Sequence, residues 1–205
     1  MVQLGVDAGV KTRALVTAMD VPLGLTAGNA LEVRESIEVL AGGGPADVVE
    51  LTILLAREMI DAAGIVGKDP AVALQDGSAM DHWRRMIAAQ GGDPDAKLPV
   101  AREQHVITAK NSGTMTTMDA MKVGVSAWRL GAGRSKQGEK VQAGAGIEMH
   151  AKPGDYVQAG SPLLTLHTDE PARFERALEI LEGAIAIEEG GTVNRLPLVI
   201  ERIEG

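Results

Sequence analysis

The stretch MDVPLGLTAGNALEVRE, residues 19–35, is the most informative part of the 205-residue chain. Its Pro22-Leu23-Gly24 turn leads to Gly28 and Asn29, after which residues 31–40 have the apolar spacing of a helix. Backbone amides at a helix start attract anions, yet the stretch lacks GxGxxG and GxxxxGK[ST], the patterns of phosphate-binding loops. We therefore interpret it as a tight turn followed by a helix that Asn29 caps.

The segment before this stretch predicts the end of a helix and one strand. Residues 2–8 have helical spacing and stop at Gly9, a residue that readily adopts the left-handed cap conformation. Residues 12–17, TRALVT, are mainly apolar, which is typical of a strand that helices cover on both faces in a parallel sheet. We expect the neighbours of this strand upstream, and we interpret the chain as the carboxy-terminal portion of a longer protein.

Three further helices are predicted before the composition changes near Lys97, at residues 47–63, 69–75 and 78–90. Beyond that point, short β-like runs between glycines predict strands at residues 105–109, 146–149, 156–157, 162–167 and 196–203. Helices are predicted at residues 118–130 and 170–187. We place a domain boundary at about residue 100. The fold class is an α/β remnant at residues 1–100, with one parallel-sheet strand plus helices, followed by a small α+β domain at residues 101–205.

Composition and charge exclude several classes of function. The net charge of −8 argues against a nucleic-acid groove, which needs clustered lysine and arginine. The absence of cysteine excludes disulfides, catalytic thiols and thiolate metal sites. The four histidines are scattered and lack the i, i+4 pairing of a helical metal site. No apolar run approaches the roughly 20 residues that span a bilayer, and no signal peptide is visible, so we expect a soluble cytoplasmic protein.

Residues 147–167, IEMHAKPGDYVQAGSPLLTLH, contain the most specific motif of the second half. Their pattern K-x-G-D-x-V-x-x-G-x-x-L is similar to the hammerhead of biotinyl and lipoyl carriers, in which glycines form turns and spaced apolar residues face a small sandwich core. A carrier needs an exposed lysine at a hairpin tip, whereas Lys152 precedes the Gly154-Asp155 turn. We therefore predict a hammerhead-like barrel-sandwich core, with turns at Gly154-Asp155 and Ala159-Gly160 and an unmodified Lys152. A carrier-like binding module is the alternative.

The signature P-L-G…G-N-A-L-E-V-x-E of residues 22–35 occurs together with AQGGD at residues 89–93, LGAGR at residues 130–134 and GDYV at residues 154–157. In this combination the chain resembles the pyrimidine-nucleoside phosphorylases, the group that includes thymidine phosphorylase. The resemblance implies a pentosyltransferase of nucleoside salvage, which converts a pyrimidine nucleoside and phosphate to the free base and (deoxy)ribose 1-phosphate. It also implies a homodimer in full-length relatives, without a membrane or nucleic-acid partner.

The resemblance further implies that no cofactor is required, and it suggests one potassium site. Family members bind potassium where this loop meets the helix, through two loop carbonyls and one helix carboxylate. These ligands correspond to the carbonyls of Leu23 and Thr26 and the side chain of Glu35. A hard cation prefers such oxygen ligands, and we expect both carbonyls to point toward Glu35. The alternative is that Glu35 is a solvated carboxylate on an amphipathic helix.

The family groups that touch phosphate and the pyrimidine precede the region that this chain resembles. We therefore assign no catalytic residue and no substrate-binding residue. We expect the chain alone to be inactive, because phosphorolysis depends on holding two reactants in register. A further alternative is a structural partner of a separately encoded catalytic fragment.

Overall fold

A computed structural model describes all 205 residues of the chain. Its seven α-helices are α1 (Val2–Asp7), α2 (Asn29–Leu40), α3 (Ala46–Ala62), α4 (Pro70–Gln75), α5 (Ser78–Ala89), α6 (Ala120–Ala127) and α7 (Arg173–Leu181). Its strands are β1 (Arg13–Thr17), β2 (Thr26–Gly28), β3 (Glu103–Thr108), β4 (Gly113–Met118), β5 (Gly146–Met149), β6 (Tyr156–Val157), β7 (Pro162–Thr168), β8 (Ile185–Glu188) and β9 (Val199–Glu204). A π-helical turn, Trp128–Ala132, continues α6.

The strands form three antiparallel sheets, so the chain is an α+β protein. The largest sheet has the order β2-β5-β7-β3, the second has the order β6-β4-β8, and β1 pairs with β9 alone. Strand β1 lies within the predicted residues 12–17 and pairs antiparallel with β9. No residue of β1 is fully buried in this chain, and the parallel-sheet neighbours expected upstream stay a prediction.

The hydrophobic core lies in the second half of the chain. A cluster of 17 buried residues joins the two larger sheets to α6 and α7. Its completely buried members include Met115 on β4, Ile147 on β5, Leu164 and Leu166 on β7, and Leu130 after α6. Burying each such side chain contributes about 1.5–3 kcal/mol. By contrast, α1, α3, α4 and α5 contain no fully buried residue.

Strand β2 attaches the start of α2 to the largest sheet through a close approach of two glycines. Gly28 of β2 pairs with Gly146 of β5, and their φ angles are +147° and +155°. A Cβ atom on Gly28 would lie 2.8 Å from Cα of Gly146, so only glycine fits without a backbone shift. The predicted Asn29 cap is wrong. The Glu32 carboxylate accepts the Gly28 N–H at 2.8 Å, and the Asn29 amide donates to the Ala132 carbonyl.

Much of the predicted second half is confirmed in type and position. Strands β5, β6 and β7 lie at the predicted residues, with turns at residues 153–154 and 159–160. The helix predicted at residues 170–187 is too long, because α7 ends at Leu181, Gly183 has a φ of +65° and the chain returns as β8. Strand β4 is missing from the sequence prediction. The motif's strands divide between two sheets, and the barrel-sandwich description stays a prediction.

The domain boundary near residue 100 also stays a prediction. Strands β1 and β2 precede it, yet they pair with β9 and β5, which follow it. Glu58 of α3 adds to this connection, since its carboxylate lies 3.0 Å from Arg13 on β1 and 2.9 Å from Arg202 on β9. In the whole chain, no helix combines the length and the apolar character needed to cross a membrane.

Candidate functional site

The loop of residues 22–26, called loop 22–26 below, is held by three other segments of the chain. Gly24 has a φ of +70°, and a side chain there would collide with the Glu35 carboxylate on α2. The Gly24 N–H donates to Oδ2 of Asp47, in the first turn of α3, at 3.1 Å. The side chain of Lys152 reaches the loop from the second half of the chain. Loop 22–26 is therefore fixed by α2, by α3 and by the K-x-G-D turn together.

The Glu35 side chain is buried beside this loop rather than solvated, with 8% of the residue exposed. Its Oε1 atom accepts the Leu25 N–H at 2.7 Å. Burial raises the pKa of Glu35 above its ordinary value, while the Leu25 hydrogen bond and the neighbouring Thr26 hydroxyl act in the opposite direction. Glu35 belongs to none of the ion pairs of the structure, which instead involve neighbours such as Arg34 and Asp47. A cation near this carboxylate would therefore offset the cost of burying its charge.

The ammonium group of Lys152 also contacts loop 22–26. Its Nζ atom donates to the carbonyls of Pro22 and Gly24, the latter at 2.6 Å. It also lies 3.3 Å from Oδ2 of Asp47, the oxygen that accepts the Gly24 N–H. Neither Lys152 nor Asp47 was predicted from the sequence as a contact of this loop. The K-x-G-D pattern drew attention to the lysine, but nothing in the pattern indicates a partner 128 residues upstream.

A cavity of about 390 Å³ opens beside Glu35. Arg34, Glu148 and His150 line it together with Thr26 and Glu35. The Oγ1 atom of Thr26 is buried beside the Glu35 carboxylate, whose pKa it lowers, and it has no other hydrogen-bond partner. The cavity therefore combines a buried carboxylate with a buried hydroxyl oxygen, a set of atoms that suits a hard cation.

The structure brings the predicted ion ligands together in part. Thr26 and Glu35 line one cavity, and Leu23 lies on the loop beside it with a carbonyl that accepts no hydrogen bond. The orientation of the Leu23 and Thr26 carbonyls toward Glu35 stays a prediction. No group of three or more histidine, aspartate or glutamate side chains could hold a metal ion. An ion at this place would therefore depend on backbone oxygens as well as on Glu35.

Comparison with protein families identifies the small domain first. Residues 114–188 match the pyrimidine nucleoside phosphorylase C-terminal domain. This range contains β4, α6, β5, β6, β7, α7 and β8, and hence most of the hydrophobic core. The class defined by the fold and the match is thus the carboxy-terminal domain of this phosphorylase family.

Individual relatives extend the match to almost the whole chain. It is 55% identical over 203 residues to thymidine phosphorylase of Mycobacterium tuberculosis strain H37Rv. The matched region covers 99% of this chain and 47% of that protein. It is 34% identical to pyrimidine-nucleoside phosphorylase of Staphylococcus epidermidis strain RP62A (99% and 48% covered) and to human thymidine phosphorylase (92% and 43%). The chain belongs to the pyrimidine-nucleoside phosphorylase family and corresponds to its carboxy-terminal portion. It spans about half the length of the curated relatives it matches.

Proposed function

We propose that this chain forms the carboxy-terminal part of a pyrimidine-nucleoside phosphorylase that acts on thymidine or uridine. The observation that carries the proposal is the 55% identity to a thymidine phosphorylase over 99% of the chain. In the proposed reaction, a phosphate oxygen forms a bond to the anomeric carbon of the sugar while the bond from that carbon to the base nitrogen breaks. The electron pair of that bond leaves with the base, and the sugar becomes (deoxy)ribose 1-phosphate.

In this proposal the chain supplies a potassium site rather than catalytic residues. The carbonyls of Leu23 and Thr26 and the carboxylate of Glu35 hold the ion. The burial of Glu35 without a cationic partner supports this assignment, and Thr26 adds a buried hydroxyl oxygen to the same cavity. A bound ion would fix loop 22–26 against α2, and phosphorolysis depends on such positioning because two reactants must be held in register. No residue of the chain is assigned to phosphate or to the base.

The proposal includes a setting for the assembled enzyme. It is a cytoplasmic homodimer of nucleoside salvage that binds pyrimidine nucleoside and phosphate and requires no organic cofactor. The net charge of −8 supports the absence of a nucleic-acid partner. The four helices without a fully buried residue, α3 among them, support assembly with further polypeptide.

Complementation tests the proposal. Cleavage of thymidine and of uridine is measured in phosphate buffer for the purified chain, alone and mixed with the part of the M. tuberculosis enzyme that the chain does not match. We expect turnover only from the mixture, together with a complex in size-exclusion chromatography. Turnover by the chain alone at the level of the intact relative would mean that residues assigned a structural role are catalytic. A complex without turnover would contradict the assignment of this reaction.

The carrier alternative is not favoured, because Lys152 is unsuited to a prosthetic group. Its side chain is only 20% exposed, and its ammonium group is engaged by Pro22, Gly24 and Asp47. An attached biotinyl or lipoyl arm would have to displace all three contacts. Intact-mass measurement after expression checks this point, and we expect no mass increment.

A further inference from the structure

We propose that Lys152 is a positioning residue whose tethered ammonium group fixes the conformation of loop 22–26. Its effect on ion binding rests on the proposed potassium site, whereas its effect on the loop does not. The proposal gives a role to the one residue of the K-x-G-D motif that neither turn formation nor a carrier function explains.

The ammonium group of Lys152 has an oxygen partner for each of its donors. A lysine ammonium has three N–H donors, and Lys152 has three oxygen neighbours: the carbonyls of Pro22 and Gly24 and Oδ2 of Asp47. Hydrogen bonds from a charged donor are stronger than those between neutral groups. The Lys152 ammonium therefore acts as a cation held in place by a covalent tether.

The backbone from which the Lys152 side chain extends is held by hydrogen bonds of its own. The Lys152 N–H donates to Oδ2 of Asp155 at 2.8 Å, and the Asp155 N–H donates back to the Lys152 carbonyl at 3.0 Å. The same turn is bonded to β4, since the Gly154 N–H donates to the carbonyl of Met115 at 2.8 Å. Met115 is completely buried in the core. The base of the Lys152 side chain is thus anchored to the hydrophobic core through the backbone of Met115.

The contacts of Lys152 determine which backbone groups of loop 22–26 are already bonded. Lys152 binds the carbonyls on both sides of Leu23, while the Leu23 carbonyl itself accepts no hydrogen bond. The N–H groups of the next two residues are bonded elsewhere, from Gly24 to Asp47 and from Leu25 to Glu35. Lys152 therefore completes a set of contacts that engages the carbonyls on either side of Leu23 and leaves the Leu23 carbonyl available for another cation.

The chain offers a direct test, because it has no native cysteine. A Lys152→Cys variant carries a single thiol. Alkylation with 2-bromoethylamine restores an ammonium group on a side chain of lysine length, and alkylation with 1-bromopropane gives the same length without the charge. The two products differ only in the group that the proposal concerns. Lys122→Cys, treated identically, is the matched control, since Lys122 Nζ also donates to a backbone carbonyl, that of Glu182, at 2.7 Å.

The first measurement is amide hydrogen exchange in a peptide that covers loop 22–26, with α7 as the reference for intact folding. We expect exchange in the loop to be about tenfold faster in the propyl form than in the aminoethyl form, the factor that the loss of a charge-assisted hydrogen bond produces. The Lys122 products should not differ in this loop. Equal loop exchange in the propyl and aminoethyl forms of residue 152 overturns the proposal.

Lys152→Met and Lys152→Arg provide the same comparison without a chemical step if the cysteine variant does not fold. The charged variant should protect the loop better than the methionine variant, and equal exchange in these two variants also overturns the proposal.

The second measurement separates this proposal from the proposed ion site. Binding of Tl⁺, a probe for K⁺, is followed by thallium NMR in the same set of proteins. Tl⁺ affinity that is lost in the propyl form and restored in the aminoethyl form supports both ideas. Charge-dependent loop exchange without any Tl⁺ binding by the unmodified chain supports the role of Lys152 and contradicts the ion site. Tl⁺ binding that is equal in the propyl and aminoethyl forms contradicts an effect of Lys152 on the ion.

Discussion

The Nη1 atom of Arg34 lies 3.1 Å from Oε1 of Glu148, so that a charged side chain of helix α2 is paired with strand β5. The other carboxylate oxygen of Glu148 lies 3.0 Å from Nε2 of His167, a residue that is 4% exposed. Glu148 therefore links a half-exposed guanidinium group at the rim of the cavity to a buried imidazole in the largest sheet.

We predict that Glu148→Ala is more destabilising than Arg34→Ala. Removal of the arginine loses one partly exposed ion pair, worth about 0.5 kcal/mol. Removal of the carboxylate leaves the buried His167 nitrogen without a partner, which costs about 1–3 kcal/mol. Urea unfolding of both variants gives the two free energies. Arg84→Ala is the control, because Arg84 forms an ion pair with Asp95 in which both side chains are exposed. An Arg34 effect as large as that of Glu148 would contradict the role of His167.

Acidification should weaken the attachment of α3 to the β1–β9 pair. Hydrogen bonds from Arg202 and Arg13 hold the pKa of Glu58 below its ordinary value of 4.5. The unfolded chain therefore takes up a proton at Glu58 at higher pH than the folded chain does. The stability that Glu58 contributes is complete above pH 4.5 and is lost as the pH falls through the lower, folded pKa.

Thermal unfolding between pH 7 and pH 3 measures this effect, and Glu58→Gln should reduce the loss of stability on the acidic side. Glu50→Gln is the matched control, since Glu50 is an exposed carboxylate on the same helix that forms no ion pair. An unchanged acid profile in Glu58→Gln would show that the contacts with Arg13 and Arg202 contribute nothing to folding.

Gly28→Ala should destabilise the chain by more than about 1 kcal/mol. Alanine stabilises a compatible glycine position by at most about that amount, and it destabilises an incompatible position by more. The new methyl group would collide with the backbone of Ala145 and Gly146. The alanine would also have to adopt the positive φ of Gly28. Gly67→Ala separates these two causes, because Gly67 has a φ of +75° but no atom within 4 Å of the added Cβ. Guanidinium unfolding should show the larger loss for Gly28. Equal losses would mean that strand β2 can move away from β5 at little cost.

Glu35→Gln should abolish any stabilisation by potassium without weakening the ion-free protein. The glutamine oxygen can still accept the Leu25 N–H, and a neutral side chain avoids the cost of burying a charge. The unfolding temperature is compared in potassium and in choline salts at equal ionic strength. Glu38→Gln is the control, because Glu38 lines the same cavity. A potassium effect that persists in Glu35→Gln would place the ion elsewhere.

Local patterns in the sequence predict those elements whose ends are determined by neighbouring residues. Helix α3 stops at a glycine with positive φ, and the turns at residues 153–154 and 159–160 lie where glycines allow them. The family signature indicates that Thr26 and Glu35 belong to one ion site; both line one cavity in the structure, and the ion site itself stays a prediction. In each case the information lies within a few residues of the feature.

The features that the sequence does not predict depend on partners far along the chain. Strand β1 is oriented by its antiparallel partner β9. The Lys152 side chain donates to carbonyls of residues that lie 128 and 130 positions upstream. Strand β4, GTMTTM, has neither a continuous apolar run nor a strict alternation of apolar and polar residues, so the sequence does not indicate its pairing with β6 and β8. The cap prediction at Asn29 fails because the helix already begins at that residue: Gly28 is the N-cap, and its N–H is bound by Glu32 one turn later.

The pairing of β1 with β9 has a consequence for the order in which the protein is made. Partners in this ribbon are separated by roughly 190 residues, and contacts of such long range form slowly. Strand β1 therefore leaves the ribosome long before its partner has been synthesised, and it has an open edge while the core around β4, β5 and β7 assembles. During that interval the same edge can accept β9 from a second molecule, so newly made copies are prone to exchange this strand with each other.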